Sequence, residues 1–228
     1  MIDGHLCTAL RGGRRLAAAL VCCAVLGALG ACSADDSDGP DDGPTRTLHI
    51  EDPMTAGEVC DGSLAGSAEA SLEAMAQDVT FGETNGEPRA SLGESAQALL
   101  DEEPYDTERF CTIFSPRYTD LWLAVLEFRW SPGTAQEGWS AEDSQVPYDA
   151  GVRAFVDGRS ALLTVRCSAG GAPADSYLNG SLSMADTAAY ESDAMMDVLN
   201  TATRAMTAEL ECAEEAGLPE GIPQRLDS

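Results

Sequence analysis

Apolar residues recur along the chain at two different spacings, which separate helical segments from strands. Helices are predicted over residues 63–77, 92–102 and 187–213, where apolar side chains return every three or four positions. Ser91 and Glu94 have the spacing of a capping box at the start of the second helix. The pattern therefore places two helices before the central part of the chain and one long helix after it.

The central part alternates apolar and polar residues and predicts strands. Their predicted ranges are 109–114, 121–130, 151–156, 159–167 and 177–184. Asp157-Gly158 separates the third and fourth strands and is a favoured two-residue hairpin turn, because glycine accepts a positive φ. The element order α-α-β-β-β-β-β-α lacks the strand–helix alternation of a parallel sheet. We therefore expect an α+β fold, a two-layer sandwich with an antiparallel sheet of about four or five strands and helices on one face.

The strand at 121–130 has two unlike faces. One face is apolar throughout and consists of Trp122, Ala124, Leu126, Phe128 and Trp130. The other begins apolar and becomes polar at Glu127 and Arg129. This strand is therefore expected to be central at its start and half-exposed at its end.

The first 32 residues have the layout of an export signal. Arginines at positions 11, 14 and 15 precede an apolar stretch over residues 16–29, which is shorter than the ~20 residues of a membrane-spanning helix. Leu29-Gly30-Ala31-Cys32 follows and resembles the lipobox of bacterial lipoproteins. The resemblance implies cleavage before Cys32 and a diacylglyceryl group on its sulfur, although an ordinary secreted protein cut near Ala31 is the alternative. Arg14-Arg15 also leaves twin-arginine export open beside the general route.

The resemblance implies a protein attached by lipid to the outer face of the cytoplasmic membrane, because two acyl chains give stable anchoring. The expected organisation is a signal peptide at 1–31, an acidic disordered tether at 32–56, one domain at 57–216 and an extended tail at 217–228. The run 35–44 is dominated by aspartate and lacks apolar residues, as disordered segments do. It lacks the ligand spacing and terminal Glu of an EF-hand calcium loop.

Composition narrows the range of partners. All 13 basic residues are arginine, and the abundance of Ala, Gly and Asp suggests an actinobacterial source. Without residues 1–31 the chain carries 38 acidic residues and ten arginines, a formal charge of −28. Such a chain repels phosphate backbones, so nucleic acid is excluded as a partner.

Four cysteines remain after the lipobox: Cys60, Cys111, Cys167 and Cys212. An even number in an exported chain predicts two disulfides, for which three pairings exist. We expect Cys60–Cys111 and Cys167–Cys212, each joining a helix to a nearby strand. A zinc site is not expected, because the chain has no CxxC pair and one histidine, His49, beyond the leader.

The search for catalytic groups gives no set of residues that predicts an enzyme. The chain has no G-x-S-x-G motif, Walker A loop or dinucleotide fingerprint, and a Ser-Lys dyad is impossible without lysine. Glu127 is the most suggestive acid, either as a general acid or simply as a charge beside Arg129 or Arg153. Trp122, Phe128 and Trp130 form either a sugar-stacking shelf or core. Met195, Met196 and Met206 are expected to pack in the core, and no cofactor or metal is expected.

The sequence therefore favours a non-catalytic binding or protein-interaction module, anchored to the membrane, that binds a small ligand or another exported protein. A secreted hydrolase that uses carboxylates, including Glu127, on cell-wall glycan is the alternative.

Overall fold

The computed structural model describes residues 50, 52–83, 91–101, 106–118, 122–133, 142–186 and 188–227, and these form four helices and six strands. The helices are α1 (Ser67–Ala76), α2 (Leu92–Asp101), α3 (Ser192–Glu209) and α4 (Ala213–Ala216). The strands are β1 (Thr107–Ile113), β2 (Ala124–Pro132), β3 (Gln145–Pro147), β4 (Arg153–Asp157), β5 (Ser160–Arg166) and β6 (Ser176–Met184).

The strands pair antiparallel in one sheet of order β1-β2-β6-β5-β4-β3. The predicted α+β sandwich is confirmed, with six strands instead of four or five. The additional strand is β3, a three-residue segment between the second and third predicted strands. β6 lies between β2 and β5. It therefore joins two hairpins, β1–β2 and β4–β5, into a single sheet; the strands of each hairpin are consecutive in the chain.

The helices pack on one face of the sheet, and the hydrophobic core lies between these two layers. On β2, the side chains of Leu126 and Phe128 are fully buried on this face, and Trp130 is 3% exposed. The indole Nε1 of Trp130 donates a hydrogen bond to the carbonyl of Leu99 in α2 at 2.8 Å. Helix α3 packs tightly against Gly180 of β6. A Cβ at that position would lie 2.8 Å from Oγ1 of Thr203 in α3.

A buried carboxylate joins α1 to α3. Asp197 of α3 is fully buried and accepts hydrogen bonds from Oγ of Ser67 at 2.8 Å and from Oγ of Ser71 at 2.7 Å. The two hydroxyls belong to successive turns of α1. Both carboxylate oxygens thus have a donor, as a charge removed from water requires.

Two helices are shorter than the sequence predicted, because residues with a positive φ interrupt them. Gly66, with φ of 98°, immediately precedes α1, and residues 56–66 form successive turns before it. Glu211, with φ of 58°, separates α3 from α4. A positive φ is incompatible with a continuing right-handed helix.

The folded unit extends beyond the predicted domain at both ends. Met54 forms a bridge with Phe81, and Ala56 is fully buried, although both lie in the predicted tether. Residues 217–227 return across α3, where Nδ2 of Asn200 donates to the carbonyl oxygens of Pro219 and Gly221, both at 2.9 Å. The tail is therefore part of the packed unit. Within the part of the chain described above, no helix combines the length and apolar character needed to cross a membrane.

Candidate functional site

The face of the sheet opposite the helices, here called the second face, is largely polar. Its side chains come from alternate positions on each strand, because successive residues of a strand point to opposite sides. Most of its side chains carry a hydroxyl, amide, guanidinium or carboxylate group. They include Thr107, Arg109, Glu127, Arg129, Arg153, Arg166, Tyr177, Asn179 and Ser181. The same strands thus carry core residues on one side and hydrogen-bonding groups on the other.

The register brings these groups into rows across the sheet. Thr107, Arg129, Asn179 and Thr164 are successive cross-strand partners on β1, β2, β6 and β5. The adjacent row is formed by Arg109, Glu127, Ser181 and Leu162. Direct partners in antiparallel sheets have Cα atoms about 4.5–5.5 Å apart, so neighbours within a row are in reach of one another.

A cleft of about 200 Å³ lies where these two rows meet. The residues that line it include Thr107, Glu127, Arg129, Asn179, Ser181 and Leu162. Its floor includes Asn179, which is 7% exposed and whose Oδ1 accepts a hydrogen bond from Oγ1 of Thr164 at 2.6 Å. The cleft therefore offers a cation, an amide, hydroxyls, one carboxylate and one aliphatic side chain.

Glu127 forms an ion pair with Arg109 across the β1–β2 ladder. The distance from Nε of Arg109 to Oε1 of Glu127 is 3.3 Å, and the two side chains are 69% and 29% exposed. The partner is thus neither Arg129 nor Arg153, the two that we considered from the sequence. An exposed pair of this kind contributes at most ~1 kcal/mol to stability.

Charge is distributed unequally between the two layers. Helices α1 to α4 contain nine acidic residues and one arginine, Arg204. The strand positions of the second face contain four arginines and two acidic residues, Glu127 and Asp157. In a chain with a net charge of −26, this face has a local excess of positive side chains.

A second polar cluster joins the C-terminal tail to the start of α3. Asp193 accepts hydrogen bonds from the hydroxyl of Tyr148 at 2.8 Å and from Nε of Arg225 at 2.5 Å. Burial, followed by the hydrogen bond to Asp193, raises the pKa of Tyr148 well above its ordinary value. Burial alone would raise the pKa of Asp193, but the bonds from Arg225 and Tyr148 outweigh it and lower that pKa. Each polar residue of this cluster has a hydrogen-bond partner within the cluster. The cluster therefore holds the tail in place, and none of these hydrogen bonds is directed at a ligand.

The four cysteines form the two disulfides in the pairing that we expected, Cys60–Cys111 and Cys167–Cys212, with Cα separations of 5.4 and 5.1 Å. Their elements differ from the expectation. Cys60 lies in a turn and Cys212 precedes α4, so neither is within a helix. The carboxylate of Glu83 is near the first disulfide and accepts a hydrogen bond from the amide of Cys60. Since both sulfurs are bonded, this group does not provide thiolates for a metal.

The aromatic and methionine side chains singled out from the sequence belong to the core. Phe128 is fully buried, Trp130 is 3% exposed and Trp122 packs partly buried against the same cluster. They do not form a shelf on the second face. Met195, Met196 and Met206 are fully buried in α3.

Cys32 and His49 lie outside the described residues, as does residue 139, the tryptophan of the loop between β2 and β3. Sequence reasoning found Glu127 and Arg129 on the polar side of β2 but missed Asn179 and Ser181. The signal for them was the alternation within 177–184, which becomes informative once β6 is known to pair with β2. Comparisons with protein-family models, curated proteins and solved structures found no match to this chain.

Proposed function

We propose that this protein is a non-catalytic binding module, held by a lipid on Cys32 at the outer face of the cytoplasmic membrane. The observation that carries the proposal is the cleft on the second face, where Arg129, Asn179 and Ser181 converge. A few polar groups that converge on a concave site are what small-ligand sites typically provide. The two disulfides support an oxidising compartment, since such bonds persist mainly in exported proteins.

The chemistry of the cleft favours binding over catalysis. Among its described lining residues Glu127 is the single carboxylate, whereas glycoside hydrolysis normally uses a pair. One oxygen of this carboxylate is already held by Nε of Arg109 at 3.3 Å. The four cysteines beyond the lipobox are bonded to one another and provide no nucleophile.

A small polar ligand is favoured over a protein partner by the distribution of apolar surface. The large hydrophobic residues that are exposed in the described part of the chain are Val79, Val152, Tyr190, Ile222 and Leu226. None of them lies at a second-face position of β1, β2, β5 or β6. Protein interfaces are built around clustered aromatic and aliphatic anchors, and the residues that line the cleft include one such aliphatic side chain, Leu162.

The test is native mass spectrometry of the full-length protein extracted from its own membrane. We expect a diacylglyceryl mass on Cys32, absent in Cys32→Ser, and an additional small bound mass. The bound mass should be lost in Arg129→Gln and retained in Arg204→Gln, because Arg204 is on α3 in the other layer. A protein that carries the lipid but no bound mass under any gentle extraction would contradict the proposal.

The hydrolase remains the second candidate because Glu127 does line the cleft. Its test is turnover of cell-wall fragments by the wild type and by Glu127→Gln. Turnover that disappears in this variant, with unchanged thermal unfolding, would replace the binding proposal with the hydrolase.

A further inference from the structure

The cleft has its two strongest donors side by side. Arg129 on β2 and Asn179 on β6 are direct cross-strand partners and both line the cleft. Within the described part of the chain, Arg129 has no carboxylate partner, unlike Arg109, Arg159, Arg204 and Arg225. A guanidinium without an internal partner beside a polar cleft is suited to an anion from outside.

Asn179 is oriented for the same role. Its side chain is more than nine-tenths buried, and its Oδ1 is occupied by the hydroxyl of Thr164. This leaves the Nδ2 donors, which have no hydrogen-bond partner among the described residues. These donors line the cleft beside the guanidinium of Arg129, where an oxygen of a bound ligand can accept hydrogen bonds from them.

The second row of the cleft restricts the kind of anion. Glu127 lies one row from Arg129 and accepts hydrogen bonds, while Ser181 offers a hydroxyl and Leu162 an aliphatic surface. A carboxylate such as that of Glu127 repels a compact, multiply charged anion but accepts hydrogen bonds from hydroxyl groups. The arrangement therefore fits a ligand that carries one carboxylate beside several hydroxyls and a C–H face.

The size of the cleft and its surroundings indicate a polymer. At about 200 Å³ the cleft is smaller than the ~300–1,000 Å³ of sites for drug-sized ligands, and it suits one sugar ring. Arg166 lies beyond the cleft on β5, opposite Tyr177 of β6, in the row next to Arg129 and Asn179. Arg153, on β4, extends the row of Arg129. Further cations thus follow the cleft across the face.

We propose that the second face, whose local excess of arginine distinguishes it from the acidic chain as a whole, binds an acidic polysaccharide and takes one uronate residue into the cleft. The carboxylate of this sugar is received by the guanidinium of Arg129 and Nδ2 of Asn179. Its hydroxyls donate to Glu127 and exchange hydrogen bonds with Ser181. A neighbouring acidic sugar lies near Arg166. This assignment rests on the binding function proposed above and adds the chemical class of the ligand.

The experiment measures binding of oligogalacturonate to the full-length protein in detergent micelles by titration calorimetry. The matched probe is the same oligomer with its carboxyl groups methyl-esterified, which keeps the hydroxyls and removes the charge. We expect the ester to bind at least about tenfold more weakly, because one charge-assisted bidentate contact is lost. Arg129→Gln should weaken binding of the free acid about tenfold and Arg129→Lys less, while Arg204→Gln should bind as the wild type does.

Three results would overturn the assignment. The first is equal affinity for the acid and its ester, and the second is unchanged affinity in Arg129→Gln. The third is an acidic peptide or inorganic phosphate that binds at the Arg129 cleft while oligogalacturonate does not. None of these results by itself contradicts the binding function. That function is tested by the native mass spectrometry described above, where a bound mass of another chemical class would still support it. Thermal unfolding of each variant separates a loss of contact from a loss of fold.

Discussion

The helical layer and the second face share the same strands but differ in what their side chains do. Toward the helices, β2 presents Leu126 and Phe128, both fully buried, and the outer surface of the helices is acidic. Toward the other side it presents Glu127 and Arg129, which are partly or largely exposed and belong to a surface rich in arginine. The comparison suggests that folding energy resides mainly in the first layer and binding chemistry mainly in the second.

The largest effect on stability is expected when Phe128→Ala is compared with Arg129→Ala, which tests whether folding energy resides on the helical side of β2. The two positions are adjacent on β2 and point to opposite faces. Removing the buried phenyl ring should lower the free energy of unfolding by about 3–5 kcal/mol, because a cavity remains in the core. Arg129→Ala should change it by less than about 0.5 kcal/mol. Urea unfolding followed by circular dichroism measures both, and comparable losses would refute the division.

The disulfides provide the next test, because Cys111 in β1 and Cys167 directly after β5 are both buried in the core. Each closes a long loop, with separations of 51 and 45 residues. The double variant Cys60→Ser with Cys111→Ser should lose about 2–5 kcal/mol, and the Cys167/Cys212 pair a similar amount. The check is the shift of the urea midpoint in each double variant. A loss of ligand binding at undiminished stability would place these bonds in the binding surface.

A smaller effect is expected at the contact between α3 and the sheet. In Gly180→Ala the new methyl would lie 2.8 Å from Oγ1 of Thr203 and 3.0 Å from Cε1 of Phe128. Overpacking of this kind costs about 1–3 kcal/mol. Ser181→Ala, one residue later on the second face, is the matched control and should leave stability nearly unchanged. A thermal scan that ranks the two in the opposite order would contradict the packing described for β6.

The smallest expected effect concerns pH and the tail. The pKa of Asp193 is below its ordinary value of 3.8 in the folded protein, so its ionised form contributes stability above that value. The contribution is lost as the pH falls through the folded pKa. Because Asp193 is 45% exposed, it should amount to less than about 0.5 kcal/mol. Arg225→Ala should reduce the change in stability between pH 6 and pH 2.5 by up to this amount, as measured from urea unfolding at the two pH values. A change as large as that of the wild type would contradict the prediction.

Much of the fold could be predicted from local pattern. Periodicity gave five of the strands and the approximate positions of α1, α2 and α3, because these signals reside in neighbouring residues. β3 was missed because three residues, one of them a proline, carry too little alternation to register. The start of α1 was misplaced because Gly66, which has a positive φ, lies inside an otherwise helical pattern. The end of α3 was misplaced because nothing in the residue type at Glu211 indicates a positive φ.

The candidate site was less accessible to sequence reasoning. The polar side of β2 was visible, and it included Glu127 and Arg129. Asn179 and Ser181 are about 50 positions further along the chain, and their place in the cleft depends on β6 pairing with β2. Long-range pairing of this kind is not encoded in any short window. The partner of Glu127 was misjudged for the same reason, since the sequence does not state which strand lies beside it.

The C-terminal tail covers one edge of the sheet, and this affects whether copies of the protein can pair through their edge strands. Edge strands offer unpaired backbone groups to other chains and are the usual starting points of aggregation. At the β3 edge, the amide of Leu226 donates to the carbonyl of Pro147, and the amide of Asp149 donates to the carbonyl of Gln224. At the opposite edge, a bulge between Arg109 and Cys111 breaks the register of β1. Both edges of this sheet are therefore unsuited to joining the edge of a neighbouring copy.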